Sequence, residues 1–178
     1  MIKKIYKAHE WQIIEESFDA SVHEMSESIF SIGNGQMGQR ANFEEHYSGH
    51  SLQGNYIGGV YYPDKTRVGW WKNGYPEYFA KVLNAPSWIG IDITVDGEQL
   101  DLAKNKMLSF TRTLDMQRGI LQRSFSVELL NGTVLTIDTE RFISLVRTEI
   151  AAIKYSIKPS KKSFIEVSSF VDSNVKNT

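Results

Sequence analysis

The sequence contains no cysteine, which excludes both a disulfide framework and a thiolate metal site. It has no apolar run approaching the ~18 residues that mark a membrane-spanning helix. An excess of one charge sign is also missing. The 20 basic and 21 acidic residues leave a net charge of -1, so neither nucleic acid nor an anionic membrane is an expected partner. The start, Met1-Ile2-Lys3-Lys4-Ile5-Tyr6, meets His9, Glu10 and Glu15 before any apolar segment develops. It does not read as a signal peptide, and a cytoplasmic protein is expected. No stretch shows three turns of amphipathic helix, and no repeat of fixed period occurs. The 178 residues, 41% of them hydrophobic, are enough for one domain, 1–178, with its own core.

What the chain does have is a glycine-rich centre of organisation at residues 28–45. Gly33, Asn34, Gly35 and Gly38 fall between an apolar run (Ile29, Phe30, Ile32) and Arg40, with Glu44 and Glu45 close behind. Asn34-Gly35 predicts a tight hairpin over 25–41, because both residues tolerate positive φ. Gly38 is expected where another backbone or a ligand comes close. The spacing Gly33-x-Gly35-x-x-Gly38 also matches a dinucleotide fingerprint. That motif needs a strand before it, a helix after it and an acidic residue about 20 positions on. The following residues, broken by Gly49 and Gly54, offer no such βαβ unit. The stretch reads as a turn.

Elsewhere the pattern is that of strands. Residues 2–6 and 11–18 read as two short ones, 46–59 as loop, and 56–62 as another strand, while 77–84 is ambiguous between helix and strand. Ile89, Ile91, Ile93 and Val95 alternate with smaller or polar residues. A two-residue turn at Asp96-Gly97 then sets Ile93 opposite Leu100 and Ile91 opposite Leu102. Leu108, Phe110 and Leu114 mark a weaker strand. For Leu121, Phe125, Val127 and Leu129, a two-residue turn at Asn131-Gly132 would oppose apolar and polar faces. A three-residue loop with Gly132 left-handed pairs Val127 with Leu135 and Phe125 with Ile137 instead. Ala151, Ile153, Tyr155 and Ile157 form a further strand, and 164–170 the last. Short strands with a turn signal about every ten residues predict an all-β, antiparallel sandwich.

Candidate chemistry is sparse. His46 and His50 stand four apart, but Ser48-Gly49 argue against the helix that would align them, and no third ligand is evident. There is no G-x-S-x-G nucleophile elbow. Among carboxylate pairs, adjacent Glu44 and Glu45 would point to opposite faces of a strand and make a poor dyad. Asp138 with Glu140 and Asp92 with Asp115 remain; Asp92 and Asp138 sit on polar strand faces. The aromatic residues are more informative. Tyr61, Tyr62, Trp70, Trp71, Tyr75, Tyr78 and Phe79 lie within 61–79, mixed with Asp64, Lys65, Arg67, Lys72 and Asn73. Residues 63–76 keep no sustained period and read as a long loop, of the kind that is often functional. Such rings suit the domain's own core, a protein interface or direct contact with a sugar, and the pattern leaves all three open.

At this point the residues carry a resemblance. The pattern Ser-Ile-Gly-Asn-Gly-x-x-Gly-x-Arg-x-x-Phe-Glu-Glu at 31–45 resembles the start of glycoside hydrolase family 65. Tyr56-Ile57-Gly58-Gly59-Val60, Asn84-Ala85-Pro86, Leu114-Asp115-Met116, Gly119-x-Leu121-x-Arg123 and Arg141-Phe142 are further matches. The aromatic loop is similar to that of the family's maltose-cleaving branch, and Ala41 departs from the glycine usual after the arginine. The resemblance implies a large sandwich of the super-sandwich type, a fragment of a larger enzyme that acts on maltose or a related disaccharide. Phosphate would be a substrate of that enzyme rather than a cofactor, and no cofactor is implied. Catalysis in the family belongs to an (α/α)6 barrel following the sandwich. The resemblance therefore implies that barrel as partner, a homodimer, and no catalytic residue in this chain. In inverting cleavage one acid protonates the leaving oxygen; phosphate, itself an anionic nucleophile, removes the need for a second carboxylate.

Overall fold

The computed structural model describes residues 5–66, 74 and 76–175. Among these residues fourteen strands, a short 3-10 turn (Ala20–Val22) and one helix, α1 (His23–Ile29), follow in order. The strands are β1 (Tyr6–Ala8), β2 (Gln12–Glu15), β3 (Ile32–Gly33), β4 (Met37–Gln39), β5 (Asn55–Ile57), β6 (Tyr61–Lys65), β7 (Tyr78–Val82) and β8 (Ser87–Val95). They continue with β9 (Glu98–Gln99), β10 (Lys106–Asp115), β11 (Ile120–Glu128), β12 (Val134–Ile143), β13 (Ala151–Pro159) and β14 (Ile165–Asp172).

A six-stranded antiparallel sheet, β1-β2-β10-β11-β12-β13, is the floor of the domain. Its outward positions are largely Ser, Thr and charged residues, while inward positions are apolar except for one band, so alternation sets each strand's face. Over one half of its inner face lies the three-stranded sheet β14-β8-β9. Between these layers Ile93, Val95, Leu100 and Leu102 meet Phe110, Phe125, Val127, Leu135 and Ile137. Over the other half lie α1 and the β3-β4 hairpin, where Phe30, Ile32 and Ala41 pack on Leu114, Leu121 and Ile143. The architecture is the expected all-β sandwich.

The two registers argued from apolar pairing hold. Phe125 pairs with Ile137 and Val127 with Leu135. The loop between them is closed by Leu129 N–H to Thr133 O, with Gly132 at φ 74. At the other turn Asp96 and Gly97 take φ 50 and 85, and Leu100 N–H donates to Ile93 O at 2.9 Å. There the ladder is shorter than expected, because Leu102 N–H turns away to His46 O.

Other expectations are corrected. Residues 25–41 are not all hairpin: α1 occupies the first part, invisible to an apolar-period reading because its buried residues are His23, Ser26 and Glu27. The hairpin is real, but only Gly35 of the expected pair has positive φ. Asn34 acts through its side chain, accepting from the N–H groups of Gln36 and Met37. Gly38 is not the tight spot, since a Cβ there would meet Tyr56 at an ordinary 3.9 Å. Gly33 is, with Met37 O only 2.9 Å from a hypothetical Cβ. Of the strand expected at 2–6, residues 2–4 lie outside the described residues; the described strand is Tyr6–Ala8, with Tyr6 paired to Glu15. The run 56–62 is broken by Gly59 at φ 88 into β5 and β6. Pro63, Asp64 and Lys65 belong to β6 rather than to a loop, paired with Ala80, Phe79 and Tyr78 of β7, and the ambiguous 77–84 thus contains a strand.

Candidate functional site

The inward parity of the floor sheet is apolar except for one band. On β10 Arg112 sits between Phe110 and Leu114; on β11 Arg123 sits between Leu121 and Phe125. Arg112 pairs across the ladders with Arg123 on one side and with Glu15 on the other. Arg141 of β12 stands beside Leu121. Three guanidinium groups, each at most 5% exposed, thus form a charged seam between two apolar clusters.

The segment 41–45 closes over that seam. Arg123 Nη2 donates to Glu44 Oε2 and to Glu45 Oε2, each at 2.5 Å. Arg141 Nε lies 3.5 Å from Glu44 Oε1, and its Nη2 donates to Asn42 O at 3.0 Å. Tyr155 donates its hydroxyl proton to Glu45 Oε1. Glu15 faces Arg112 Nε at 3.4 Å and accepts from Ser26 at 2.7 Å. Glu27 of α1 accepts from Asn42, Ser51 and Leu52 N–H, and lies 3.2 Å from His23 Nε2. The Phe43 ring fits between guanidiniums, 5.3 Å from Arg112 and 4.6 Å from Arg123, a cation–π arrangement.

Electrostatics separate the two neighbouring carboxyls. Burial opposes ionisation of Glu44, but Arg141 and Arg123 outweigh it and hold the group below the usual range. For Glu45 burial wins; Arg123 offsets only part of it, the Glu44 charge adds to it, and the carboxyl is pushed up. Burial draws Arg112 down to about 10, with Glu15 the strongest opposing charge. Burial also works against Arg123, yet Glu45 and Glu44 lift it above the ordinary guanidinium value.

This corrects the strand-parity reading of Glu44 and Glu45. They lie outside any strand, so alternation does not apply, and both carboxylates converge on one nitrogen. Glycosidic cleavage needs two carboxyls flanking a sugar with space between them. A pair sharing one Arg123 nitrogen leaves no such space. The seam is suited to locking the 41–45 segment onto the sheet. Read along the sequence, Arg123 and Arg141 stand only as motif matches and Arg112 is passed over, because the alternation is followed through apolar residues; an arginine on the apolar parity is the available signal.

The rest of the glycine-rich motif builds the same lock. Arg40 donates from Nε to Leu52 O and from Nη2 to Glu24 O, each at 2.9 Å. Gly54 leaves room for it, since a Cβ there would lie 2.1 Å from Arg40 Cδ. Asn34 Nδ2 donates to Ser144 O at 2.7 Å and to Thr148 O at 2.9 Å. Ala41 is buried and its φ is not positive, so the alanine is accommodated without strain. His46 lies 3.8 Å from Asp101. Among the described residues no three His, Asp or Glu side chains cluster as metal ligands. Asp138 accepts from Ser124 on the outer face, and Asp92 lines a cleft of about 310 Å³ with Glu45, Tyr47, Ser51 and Phe170.

The aromatic segment becomes a two-stranded ribbon. Tyr61, Tyr62, Tyr78 and Phe79 on β6 and β7 are about half exposed, with Asp64 and Lys65 beside them. They are therefore not part of the domain's core. Arg67, Trp70, Trp71, Lys72, Asn73 and Tyr75 lie outside the described residues.

With this geometry in hand, comparison with known proteins is specific. The family described as glycosyl hydrolase family 65, N-terminal domain, matches residues 13–178. A maltose phosphorylase of Bacillus subtilis (strain 168) is 47% identical over 176 residues, 98% of this chain and 23% of that protein. An alpha,alpha-trehalose phosphorylase of Thermoanaerobacter brockii is 36% identical over 98% of this chain and 23% of its own length. Among solved structures, a putative kojibiose phosphorylase from human microbiome superposes with a TM-score of 0.86 at 31% identity, covering 98% of this chain and 23% of the other. The chain thus spans about a quarter of the length of these relatives. Among the described residues no helix is long and apolar enough to cross a membrane.

Proposed function

Because the chain belongs to glycosyl hydrolase family 65, whose N-terminal domain it carries, we propose that it is the non-catalytic β-sandwich of a maltose phosphorylase. The full-length enzyme would split maltose with inorganic phosphate into β-glucose 1-phosphate and glucose in the cytoplasm. This domain would support a catalytic barrel in the same polypeptide and a homodimer of it. The observation that carries the substrate is the gradient of likeness: 47% identity to a maltose phosphorylase against 36% to a trehalose phosphorylase. The non-catalytic role is supported by the seam, where buried carboxylates are engaged by arginines or by neighbouring polar groups rather than set about a sugar-sized space. The test is phosphorolysis by the full-length protein with maltose, trehalose and kojibiose in parallel. Glucose release from maltose, and none from this chain alone, is expected. Preference for another disaccharide overturns the substrate, and turnover by the isolated chain overturns the non-catalytic role.

A second reading rests on the ribbon. Tyr61, Tyr62, Tyr78 and Phe79 present exposed rings next to Asp64 and Lys65, a surface suited to stacking on sugar rings. As an independent carbohydrate-binding module the chain would show saturable quenching of aromatic fluorescence by maltose or a longer α-glucan. A flat titration at millimolar sugar removes this reading.

A further inference from the structure

Two aromatic rings that line a single cleft are each seated on a glycine. Phe170 of β14 pairs with Gly90 of β8, and a Cβ at Gly90 would lie 2.6 Å from the Phe170 Cζ. Tyr47 lies over Gly49 in the same way, its Cζ only 2.3 Å from a hypothetical Cβ. The Tyr47 ring also meets Phe43 edge-on at 5.4 Å. A side chain at either glycine would displace the ring above it, so the close approach of the backbone fixes both rings in place. Phe170 nevertheless remains 43% exposed. With Gln53 and Asp92 the two rings line the cleft of about 310 Å³. A second cleft, of about 520 Å³, adjoins it; the two share Tyr47, Gln53 and Asp172, and the second adds Asn55 and Asn174. Both volumes fall within the ~300–1,000 Å³ usual for ligand clefts. Asn55 is 4% exposed. Its Nδ2 donates to Pro86 O, but its Oδ1 has no hydrogen-bond partner among the described residues. A buried amide oxygen without a donor is costly, and a donor brought by a ligand removes the cost.

We propose that the two clefts together bind a neutral oligosaccharide, with sugar rings laid on Phe170 and Tyr47 and hydroxyls taken by the amides and carboxylates. The lining chemistry selects that class. Among the described residues neither cleft is lined by lysine or arginine, while Glu45, Asp92 and Asp172 are present. An anion such as phosphate would meet carboxylates without a counter-charge. A cation would suit the carboxylates but would leave the donors of the Gln53 and Asn174 amides unused, because amides both give and accept hydrogen bonds. A sugar hydroxyl does both as well, and the C–H face of a pyranose fits an aromatic face. Two adjoining clefts set the length at two sugar units or more. The inference goes beyond the function proposed above. It takes no step of the reaction from it, and its rings are not those of the β6-β7 ribbon.

Hydroxyl-radical footprinting of the full-length protein in phosphate-free buffer reads the two rings directly, so a wrong substrate assignment leaves its outcome unaffected. Oxidation of Phe170 and Tyr47 is followed against maltotetraose, cellotetraose and spermidine. Each rate is normalised to Phe164 in the same sample, which lies outside both clefts, so that scavenging by the sugar cancels. Saturable, severalfold protection of both rings by at least one of the two sugars is expected. Asp92→Asn and Gln53→Ala, each of which removes one polar contact, should raise the half-saturating concentration several-fold. Unchanged rates with both sugars overturn the proposal, as does protection by spermidine in their place. Rings already shielded before any sugar is added overturn it too, because the cleft is then filled by protein. Equal half-saturation in both variants and the unaltered protein shows that the sugar acts from elsewhere, and equally overturns it.

Discussion

Neutralising Glu44 should cost far more than neutralising Glu45, although the two are adjacent, equally buried and bound to the same nitrogen. Glu44 is shared by two guanidiniums, at 2.5 Å from Arg123 and 3.5 Å from Arg141. Glu44→Gln leaves Arg141 buried with the Asn42 carbonyl as its remaining described hydrogen-bond partner. Breaking one member of a buried ionic group in this way costs about 3–5 kcal/mol. Glu45 differs because burial and the Glu44 charge already push its carboxyl up. In Glu45→Gln the amide oxygen can face Arg123 while its NH2 donates to the Tyr155 oxygen. The loss should be about 1 kcal/mol, the scale of one rearranged hydrogen bond. The pH dependences have opposite signs. Glu44, held below the ordinary 4.5, stabilises the fold above that value and ceases to do so as pH falls through its folded pKa. The Glu44→Gln deficit should therefore shrink in acid. Glu45, raised above 4.5, lowers stability as pH climbs from 4.5 through its folded pKa, so the Glu45→Gln deficit should shrink as pH rises. Urea unfolding followed by tryptophan fluorescence, run on both variants across pH, measures each difference. Equal losses, or a larger loss for Glu45→Gln, would refute this account of the seam.

The remaining predictions concern single anchors. Gly132→Ala should cost about 1–2 kcal/mol, the strain of a left-handed L-residue, with no change of register because nothing lies within 4 Å of the new Cβ; unfolding curves and amide shifts in β11 and β12 check both parts. Asn34→Ala removes two donated bonds to the 144–150 loop and two accepted within the hairpin. It should cost about 1–3 kcal/mol and accelerate hydrogen exchange in the loop, while exchange in β10 and β11 stays unchanged. Burial alone would raise Asp101, but N–H donation from Ser48 and Ala103 and the Lys104 ammonium hold it well below the carboxylate range. Its contribution is present above the ordinary carboxylate value and fades as pH falls through the folded one. Asp101→Asn should accordingly be destabilising at neutral pH and progressively less so in acid, read by thermal unfolding across pH.

The strands and their pairing were legible because they rest on information two residues apart. Alternation of Leu121, Phe125 and Val127 against Leu135 and Ile137 admits one register with apolar faces together, and Gly132 is the residue that lets the loop meet it. The Asp96-Gly97 turn was readable for the same reason. The rest depended on partners distant in the chain. Helix α1 turns His23, Ser26 and Glu27 inward, so no apolar period announces it; those groups become buriable only where Asn42, Ser51 and Leu52 arrive to bond Glu27. Glu44 and Glu45 looked divergent as neighbours in a strand. They converge because the segment is a loop pressed onto Arg123, 79 and 78 positions away. Asn34 announced its turn, but not that it would hold carbonyls 110 and 114 residues on. Local alternation is written in the backbone's own geometry. A buried charge can be tolerated only once its counter-charge is beside it, and that proximity exists only after the sheet and its covering segment have come together.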